Sequence, residues 1–457
     1  MVRNADDQSM TSGSLWGKIL KFAGYFMMTA FLQQLYSAAD IIVVSRYAGQ
    51  EALAGVGTCS VVVNLFLYFI LGFSAGATVV LGHAIGADDR KEIGKVTHTA
   101  LAIAALFGLT VSVICLVFTK ELLLWVDVPE NVMGEASAYL RIVSVGYIPT
   151  LVYNFGAAIL RAKGDTKQSL YIVSVSGVIN IVLNLFFVCV LKMRAAGVAL
   201  ATVIANVYNG IMILRVLRKQ SDETRISLRK IRIHKQPFLK IIQYGLPSGI
   251  QSAVYALSNT LVQSGINSFG SAASAGSAAT TSITDFYNSM ENSLYQAAVV
   301  STSQNFGARK FDRIKSTIWI CTVYCFGLWV IQSCITFFCD EFLIGIYASK
   351  DPAVFEMAIR KFQILGYCYG LLGLINIMSG ALRGIGASFI NMLMSIIGVC
   401  GLRVLWLVTV FPKIGTYESL FYSYPLSWFG TAVMHSIMFF ILFRRIQRMK
   451  TKEGLLQ

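Results

Sequence analysis

The chain has 457 residues, of which 56% are hydrophobic and only 13% are charged. Soluble globular domains carry about 25% charged residues, so this composition excludes an ordinary soluble protein and favours one that lies in lipid. The formal net charge of +15 does not indicate a nucleic-acid partner. Most of the Lys and Arg residues stand in short polar segments between apolar blocks, the distribution that the positive-inside rule describes for cytoplasmic loops.

Twelve apolar blocks follow one another along the chain, each of about 20 residues or more and therefore long enough as a helix to cross roughly 30 Å of hydrocarbon. Their predicted bounds are 18–45, 53–81, 97–118, 136–160, 168–190, 195–214, 241–267, 273–304, 316–338, 362–382, 387–411 and 419–443. The alternating polarity typical of a membrane β-barrel is not seen in the sequence. The fold class predicted is an all-α polytopic membrane protein with both termini in the cytoplasm and the first span retained.

The sequence repeats itself at a nearly constant separation. Ala54-Gly55 recurs as Ala275-Gly276, and Gly86-Ala87 recurs as Gly307-Ala308. An even number of spans in each copy makes the copies parallel, related by an axis along the membrane normal. We therefore predict two parallel six-helix repeats, with substrate bound between them.

The segment that joins the two copies is polar and rich in Lys and Arg. The predicted domains are a six-helix lobe at 1–217, a basic cytoplasmic linker at 218–240 and a second six-helix lobe at 241–457. The linker is interpreted as a topology determinant, with binding of anionic lipid head groups as the alternative. Pro247 is predicted to open the seventh span near its cytoplasmic end, where the simpler interpretation is the geometry of a helix start. The alternative is a bend, since proline loosens the hydrogen-bond ladder of a membrane helix and is tolerated there.

The first span carries a polar stripe on one helical face, made of Gln33, Tyr36, Ser37 and Asp40. An ionisable group inside a membrane costs on the order of 2.5–3.5 kcal/mol on insertion scales, so Asp40 requires an explanation. We interpret it as a site for a proton or a cation. The alternative is a carboxyl group that only holds helices together by hydrogen bonds.

Uncharged polar residues continue this pattern on the fifth and sixth spans. They recur at helical spacing, as Ser176, Asn180 and Asn184 on the fifth span and as Thr202, Asn206 and Asn209 on the sixth. Three spans of the first half thus present hydroxyl and amide groups around one acid. Side-chain amides also serve as interhelical contacts, worth about 0.6 kcal/mol each in membranes, and that alternative stays open.

In the second half the polar face lies on the eighth span, where its members are predicted to line a substrate cavity: Asp285, Asn288, Asn292 and Gln296. Arg403, in the eleventh span, is predicted to line the same cavity and is a possible partner of Asp285; the alternative is that its side chain extends to the membrane surface. Cys321 and Cys325 stand one helical turn apart, but the sequence supplies no further ligands for a metal beside them.

Several motifs together resemble the multidrug and toxic compound extrusion (MATE) family, over nearly the whole chain. In order they are Leu35-Tyr36-Ser37-Ala38-Ala39-Asp40, Ala52-Leu53-Ala54-Gly55-Val56-Gly57, Leu160-Arg161-Ala162-Lys163-Gly164-Asp165-Thr166, Asn180-Ile181-Val182-Leu183-Asn184, Gly245-Leu246-Pro247 and Ser303-Gln304-Asn305-Phe306-Gly307-Ala308. The resemblance implies two six-helix lobes around a V-shaped cavity. It also implies export of cationic or lipophilic compounds by antiport with protons or sodium.

Carried over by position, the resemblance places a cation-coupling site at Asp40, Tyr139, Asn180 and Thr202, with sodium possible at Asp40, Asn180 and Thr202. The chain departs from the family pattern at Asn184, where relatives usually have an acid, so Asp40 is the one carboxylate of the cluster. Asn184 is kept in the predicted site. Gln33, Tyr36 and Asn206 are predicted to line the substrate cavity of the first half.

The predicted function is secondary active export of drugs or toxins. A flippase for lipid-linked oligosaccharides, from the related superfamily, is the alternative, although only Arg403 offers the positive charge that a pyrophosphate requires. A membrane enzyme lacks support because no histidine has a nucleophile or acid in register. The predicted partners are small-molecule substrates and membrane lipids, without a cofactor or a nucleic acid, in a monomer of the bacterial plasma membrane.

Overall fold

The computed structural model describes residues 9–348 and 351–454, and in these ranges the chain is helical and forms no β-strand. Eight α-helices occupy the first half: α1 (Leu15–Val43), α2 (Gln50–Gly86), α3 (Arg90–Val117), α4 (Thr119–Trp125), α5 (Met133–Val145), α6 (Tyr147–Ala162), α7 (Lys167–Asn184) and α8 (Arg194–Arg218). Nine follow: α9 (Lys235–Asn267), α10 (Ser271–Gly307), α11 (Phe311–Tyr347), α12 (Pro352–Gly366), α13 (Tyr369–Gly384), α14 (Ser388–Ser395), α15 (Leu402–Thr409), α16 (Phe411–Ile414) and α17 (Tyr417–Gly454).

Eight helical segments of the described chain are long and apolar enough to span a membrane, and the number rises to ten if each of two bent pairs is one span. The pairs are α5 with α6, bent by 46°, and α12 with α13, bent by 45°. Helices α9 and α10 have 33 and 37 residues but are more polar and fall outside this set. The protein is therefore a polytopic helical membrane protein, and the count of twelve spans remains a prediction.

Three helices contain a π-helical stretch, in which an extra residue widens one turn. Val44–Ala48 continues α1, Leu185–Val190 continues α7, and Ile396–Gly401 joins α14 to α15. Such turns are frequent at functional sites because they re-aim the side chains beside them. Two of the three begin within four residues of Asp40 or Asn184.

Corresponding turns of the two halves share their backbone conformation. Gly49 and Gly270 have φ values of 90° and 93°, and Gly164 and Gly386 have values of 89° and 88°. Positive φ angles of this size suit glycine because it has no Cβ. The recurrence of the same turns, with the same separation along the chain as the sequence motifs, supports the internal repeat.

The chain divides into two compact units whose boundaries lie inside helices. One unit is Met28–Gly249, and the other combines the residues up to Met27 with those from Ile250 onward. The boundaries therefore cut α1 and α9 rather than falling in the basic linker, where the sequence-based lobes are divided. The difference arises because a helix can begin against one set of neighbours and end against another. For convenience, Met28–Gly249 is called the N-unit and the rest the C-unit.

The N-unit is held together by a close crossing of α2 with the first half of α9. Gly72 and Gly76 lie one turn apart on α2, and they face Ser248, Gly249 and Gly245 on α9. A Cβ added to Gly76 would lie 2.5 Å from the backbone nitrogen of Gly245. Small residues four apart permit such close approach of two backbones, which is how membrane helices gain packing energy without a hydrophobic effect between them.

Helix α9 also corrects the prediction made for Pro247. The helix begins at Lys235 and continues without interruption through Pro247 to Asn267, so the proline is internal and does not mark the start of a span. Its missing N–H is tolerated within a membrane bundle, where neighbouring groups compensate the lost hydrogen bond.

The linker between α8 and α9 packs against the end of α6 in the N-unit. The ammonium group of Lys163, at the end of α6, lies 2.5 Å from the Asp222 carboxylate and 2.6 Å from the side-chain oxygen of Gln220. Burial alone would raise the pKa of Asp222, but the hydrogen bonds from Lys163 and Thr224 and the charge of Lys163 outweigh it, so the pKa is lowered. The linker is therefore fixed by a partly buried ion pair.

In the C-unit, the segment that precedes α1 is bound to α10 and α11. The backbone nitrogen of Met10 donates a hydrogen bond to the side-chain oxygen of Gln304 at 2.7 Å, and the Met10 carbonyl accepts from Asn305 at 3.2 Å and Arg313 at 3.0 Å. Gln304 and Asn305 are completely buried. The chain start is thereby anchored through contacts that span nearly 300 positions of sequence.

Candidate ion-coupling and substrate sites

The polar cluster of the N-unit is built by α1, α7 and α8. Asp40 lies in the last turn of α1, Asn180 and Asn184 lie one turn apart at the end of α7, and Thr202 lies in α8. Asn180 is 6% exposed and Asn184 is completely buried. The structure thus brings together four of the five residues predicted to couple a cation.

These four side chains form one chain of hydrogen bonds. The amide nitrogen of Asn184 donates to the Asp40 carboxylate and also to the Asn180 side-chain oxygen, at 3.2 Å. The amide nitrogen of Asn180 in turn reaches the Thr202 hydroxyl at 3.5 Å. Both N–H bonds of the Asn184 amide are therefore used, and the acid is held by a neutral donor.

One oxygen in this cluster is left without a bond. The side-chain oxygen of Asn184 is buried and has no hydrogen-bond partner among the described residues. A buried acceptor without a donor costs about 1–3 kcal/mol, so the site favours a species that supplies a donor or a positive charge. A proton and a small cation both meet that requirement.

Two tyrosines predicted for the N-unit lie close to this cluster. Tyr139 packs against the apolar cluster that contains Val44 and Ala48, and its phenol is within electrostatic reach of Asp40. Tyr36 lies against Gly177, and its hydroxyl donates to the Ser174 carbonyl at 3.1 Å.

This position explains why α7 has glycine at 177, since any Cβ there would collide with the Tyr36 ring. Tyr36 thus joins α1 to α7. Gln33 is exposed, and Asn206 is partly buried one turn after Thr202.

The C-unit contains a separate polar cavity of about 390 Å³. Its charged and amide lining includes Asp285, Asn288, Asn292 and Arg403, which the sequence predicted, together with Lys361, which it did not. Gln296 lies one turn further along α10 and is partly buried outside this lining. The structure therefore brings together four of the five residues predicted for the second half.

Arg403 is fixed by neutral groups. Its Nη1 donates to the side-chain oxygen of Asn259 at 2.9 Å, and the guanidinium lies 4.0 Å from the centre of the Tyr424 ring. It is only 3% exposed. The side chain therefore does not extend to the membrane surface, and the contacts that hold it are an amide and an aromatic face.

Lys361 was missed because its sequence context is that of a loop. It follows Arg360 and directly precedes the predicted span that begins at 362, a position that suggests a solvated segment. In the structure it is 6% exposed, and its ammonium donates to the Ser277 carbonyl at 3.0 Å and to the hydroxyls of Ser277 and Thr281 at 2.8 Å. A buried lysine of this kind is identified only when the course of α12 is known.

Glu291, the second acid of α10, lies outside the cavity. It is completely buried, and one of its oxygens contacts the Cys325 sulfur at 3.7 Å. Gly373 on α13 leaves the space that this carboxyl group occupies. Of these two acids, Asp285 lines the cavity and Glu291 does not.

Known proteins resemble this chain over most of its length. The MatE family model matches residues 26–186 and 247–408. The probable multidrug resistance protein YoeA of Bacillus subtilis is 25% identical over 410 residues, covering 87% of each chain. The probable multidrug resistance protein NorM of Thermotoga maritima is 23% identical, covering 85% of this chain and 84% of its own.

Among solved structures, a multidrug resistance transporter of the MATE family in an outward-facing conformation is 19% identical and superimposes with a TM-score of 0.89. The match covers 96% of this chain and 98% of that one. Likeness at this level of identity shows the fold. The two family-model matches, one in each half, cover well over half of the residues. The chain belongs to the MATE family of multidrug efflux transporters.

Proposed function

We propose that this transporter is a secondary active antiporter that exports cationic or lipophilic small molecules in exchange for protons or sodium. The observation that carries the proposal is the hydrogen-bonded cluster at Asp40, a single acid held by Asn184 inside a membrane helix bundle. Acids within spans mark ion or proton pathways in transporters because their cost must be balanced by function.

The cluster favours a proton over sodium as the coupling ion. A sodium ion requires several oxygen ligands, yet the oxygens of Asn180 and Thr202 already accept hydrogen bonds within the cluster. The oxygens that remain as ligands for sodium are those of the Asp40 carboxylate and the side chain of Asn184. A proton needs only one carboxylate oxygen, so the cluster accepts it without reorganisation.

Exchange follows if the two ligands bind different states of the protein. A proton on Asp40 favours the conformation in which the neutral carboxyl group is stable, whereas the substrate favours the second conformation. Binding of the proton therefore drives release of the substrate, and binding of the substrate drives release of the proton. We further propose two parallel six-helix repeats, cytoplasmic termini, a bacterial plasma membrane location and a monomeric protein.

The alternative function, a flippase for lipid-linked oligosaccharides, gains one supporting observation. Lys361 joins Arg403 in the C-unit cavity, so two cations are available where the sequence offered one. The family match and the multidrug names of the relatives favour the exporter. Efflux of a soluble dye from vesicles free of lipid-linked sugar distinguishes the two functions.

The experiment is transport by purified protein in vesicles under a proton gradient or a sodium gradient, imposed separately. Asp40→Asn keeps the size and hydrogen-bonding capacity of the side chain but cannot exchange a proton, and it should abolish gradient-driven efflux. Asp312→Asn is the matched control, since Asp312 is exposed at the start of α11. Normal efflux by a folded Asp40→Asn protein contradicts the proposal.

A further inference from the structure

The C-unit cavity has an unusual charge balance for a transporter expected to carry cations. Three of its lining residues are charged: Asp285, Lys361 and Arg403. Two positive charges therefore face one negative charge. Lys361 and Asp285 are close enough to influence each other electrostatically, and the three charged residues of the lining together carry a net positive charge.

Both cations are deeply buried and held by neutral groups. The three oxygen contacts of Lys361 match the three donors of an ammonium group. Arg403 uses Nη1 for Asn259, while its Nε is buried and has no hydrogen-bond partner in the described part of the chain. A buried charged donor without an acceptor is costly, and a bound anion would remove that cost.

The shape of the unsatisfied group indicates the chemistry of its ligand. A guanidinium binds carboxylate or phosphate through two neighbouring N–H groups, and Arg403 lines the cavity with an Nε that has no acceptor in the described chain. Beside its amide and hydroxyl groups, the lining also has apolar and aromatic side chains, among them Val262, Ile266, Leu365, Leu372, Ile375 and Trp428. The cavity thus offers one place for a negative charge beside room for a lipophilic body.

We infer that the C-unit cavity binds amphipathic organic anions, with the anionic group at Arg403, attracted also by the positive charge of Lys361, and the apolar body against the apolar and aromatic lining residues. The inference rests on the proposed export function for its physiological meaning, and it narrows the lipophilic substrates of that proposal to amphipathic anions. Binding itself is measured at equilibrium, without an ion gradient.

The test uses two fluorescent probes with the same body and opposite charge, dansylglycine and dansylethylenediamine. Each is titrated into the full-length protein in nanodiscs of neutral lipid, with empty nanodiscs as the blank. Wild type should bind the anionic probe more tightly. Arg403→Gln should weaken its binding by about tenfold or more, the usual effect of losing a charge-assisted hydrogen bond, and Arg403→Lys should recover part of it.

Two further variants test the sign of the charge effect. Lys361→Gln should also weaken binding of dansylglycine, whereas Asp285→Asn should strengthen it by removing the one repelling charge. Lys413→Gln is the matched control, since Lys413 is an exposed cation of α16 outside the cavity. It should bind as wild type does.

Tighter binding of dansylethylenediamine, lost in Asp285→Asn, would instead show a cation site and overturn the inference. Anion binding that is indifferent to both Arg403 and Lys361 would overturn it as well. If Arg403→Gln does not fold, Lys361→Gln and Asp285→Asn still decide the matter. Equilibrium binding of dansylglycine to wild type does not depend on gradient-driven efflux, so a failure of the antiport proposal is distinguishable from a failure of this one.

Discussion

The amide of Asn184 donates a hydrogen bond to the carboxylate of Asp40, linking the end of α7 to the end of α1. The resemblance to the MATE family implies that many relatives have an acid at the position of Asn184. The neutral side chain therefore gives the cluster one formal charge, held by a donor rather than opposed by a second carboxylate. How the ion site behaves should depend on this one pair.

Asn184→Asp should convert the cluster into one that binds sodium. A second carboxylate beside Asp40 removes a donor and adds a charged oxygen ligand, and the affinity of oxygen sites for hard cations rises with their charge. The measurement is the melting temperature of the purified protein in sodium chloride compared with choline chloride. Wild type should show little difference, and the variant should be stabilised by sodium.

Asn154→Asp is the matched control for that substitution, since Asn154 lies in α6 and its amide nitrogen donates to the Thr150 carbonyl at 2.9 Å, apart from the cluster. A sodium response in both variants, or in neither, would mean that the position next to Asp40 has no special role.

Gly177→Ala should impair transport by displacing Tyr36. The added Cβ would collide with the Tyr36 ring, and overpacking of this kind typically costs about 1–3 kcal/mol. We expect a lower melting temperature and slower efflux, because α1 carries both Tyr36 and Asp40. The double variant Gly177→Ala/Tyr36→Ala should recover part of the stability. Gly57→Ala, where the new Cβ meets no atom within 4 Å, should be neutral.

Gly76→Ala should be more damaging than Gly177→Ala. The atoms near the new Cβ belong to the backbone of α9 at Gly245 and Ile241, so no side-chain rotation relieves the contact. The two helices would have to separate, with loss of the packing along their whole crossing. Yield of folded protein and melting temperature are the measurements. Stability equal to wild type would show that α2 and α9 do not cross as closely as described.

The linker should detach from the N-unit at acidic pH, when Asp222 is protonated and its ion pair with Lys163 is lost. A carboxyl whose pKa is lowered on folding stabilises the folded state above its ordinary pKa of 3.8, and that stabilisation is lost as the pH falls through the lowered value. Hydrogen exchange of residues 219–227, corrected for intrinsic rates, should therefore be constant from pH 5 to pH 7 and increase below about pH 4.

Asp222→Asn should exchange rapidly at every pH, because the amide cannot form the ion pair with Lys163. The exposed Asp312→Asn control should behave as wild type does. If the wild-type linker exchanges at the same corrected rate at pH 3 and pH 7, the ion pair does not hold it.

Part of this arrangement was predictable from sequence because it depends on local spacing. Asn180 and Asn184 are one turn apart on any helix, and the stripe that ends at Asp40 needs only helical periodicity. The repeated motifs follow the same logic. Residue type and spacing were enough to identify the polar helices of each half.

Features that depend on tertiary contacts were not predictable in this way. Lys361 resembles a loop residue until the bend between α12 and α13 is known, and Pro247 resembles a helix start until α9 is seen to continue through it. Tyr36 shares a stripe with Asp40, yet its ring is placed by a glycine on α7. Periodicity shows which residues share a face but not which helix lies opposite them.

The anchoring of Met10 by Gln304 has a consequence for biosynthesis. Residues up to Met27 are synthesised long before those from Ile250 onward, with which they form one unit. Helix α1 must therefore enter the membrane while the partners of its first turns do not yet exist. A chain severed in the linker would leave each fragment with a helix end whose neighbours are on the other, so the fragments should mature only when produced together.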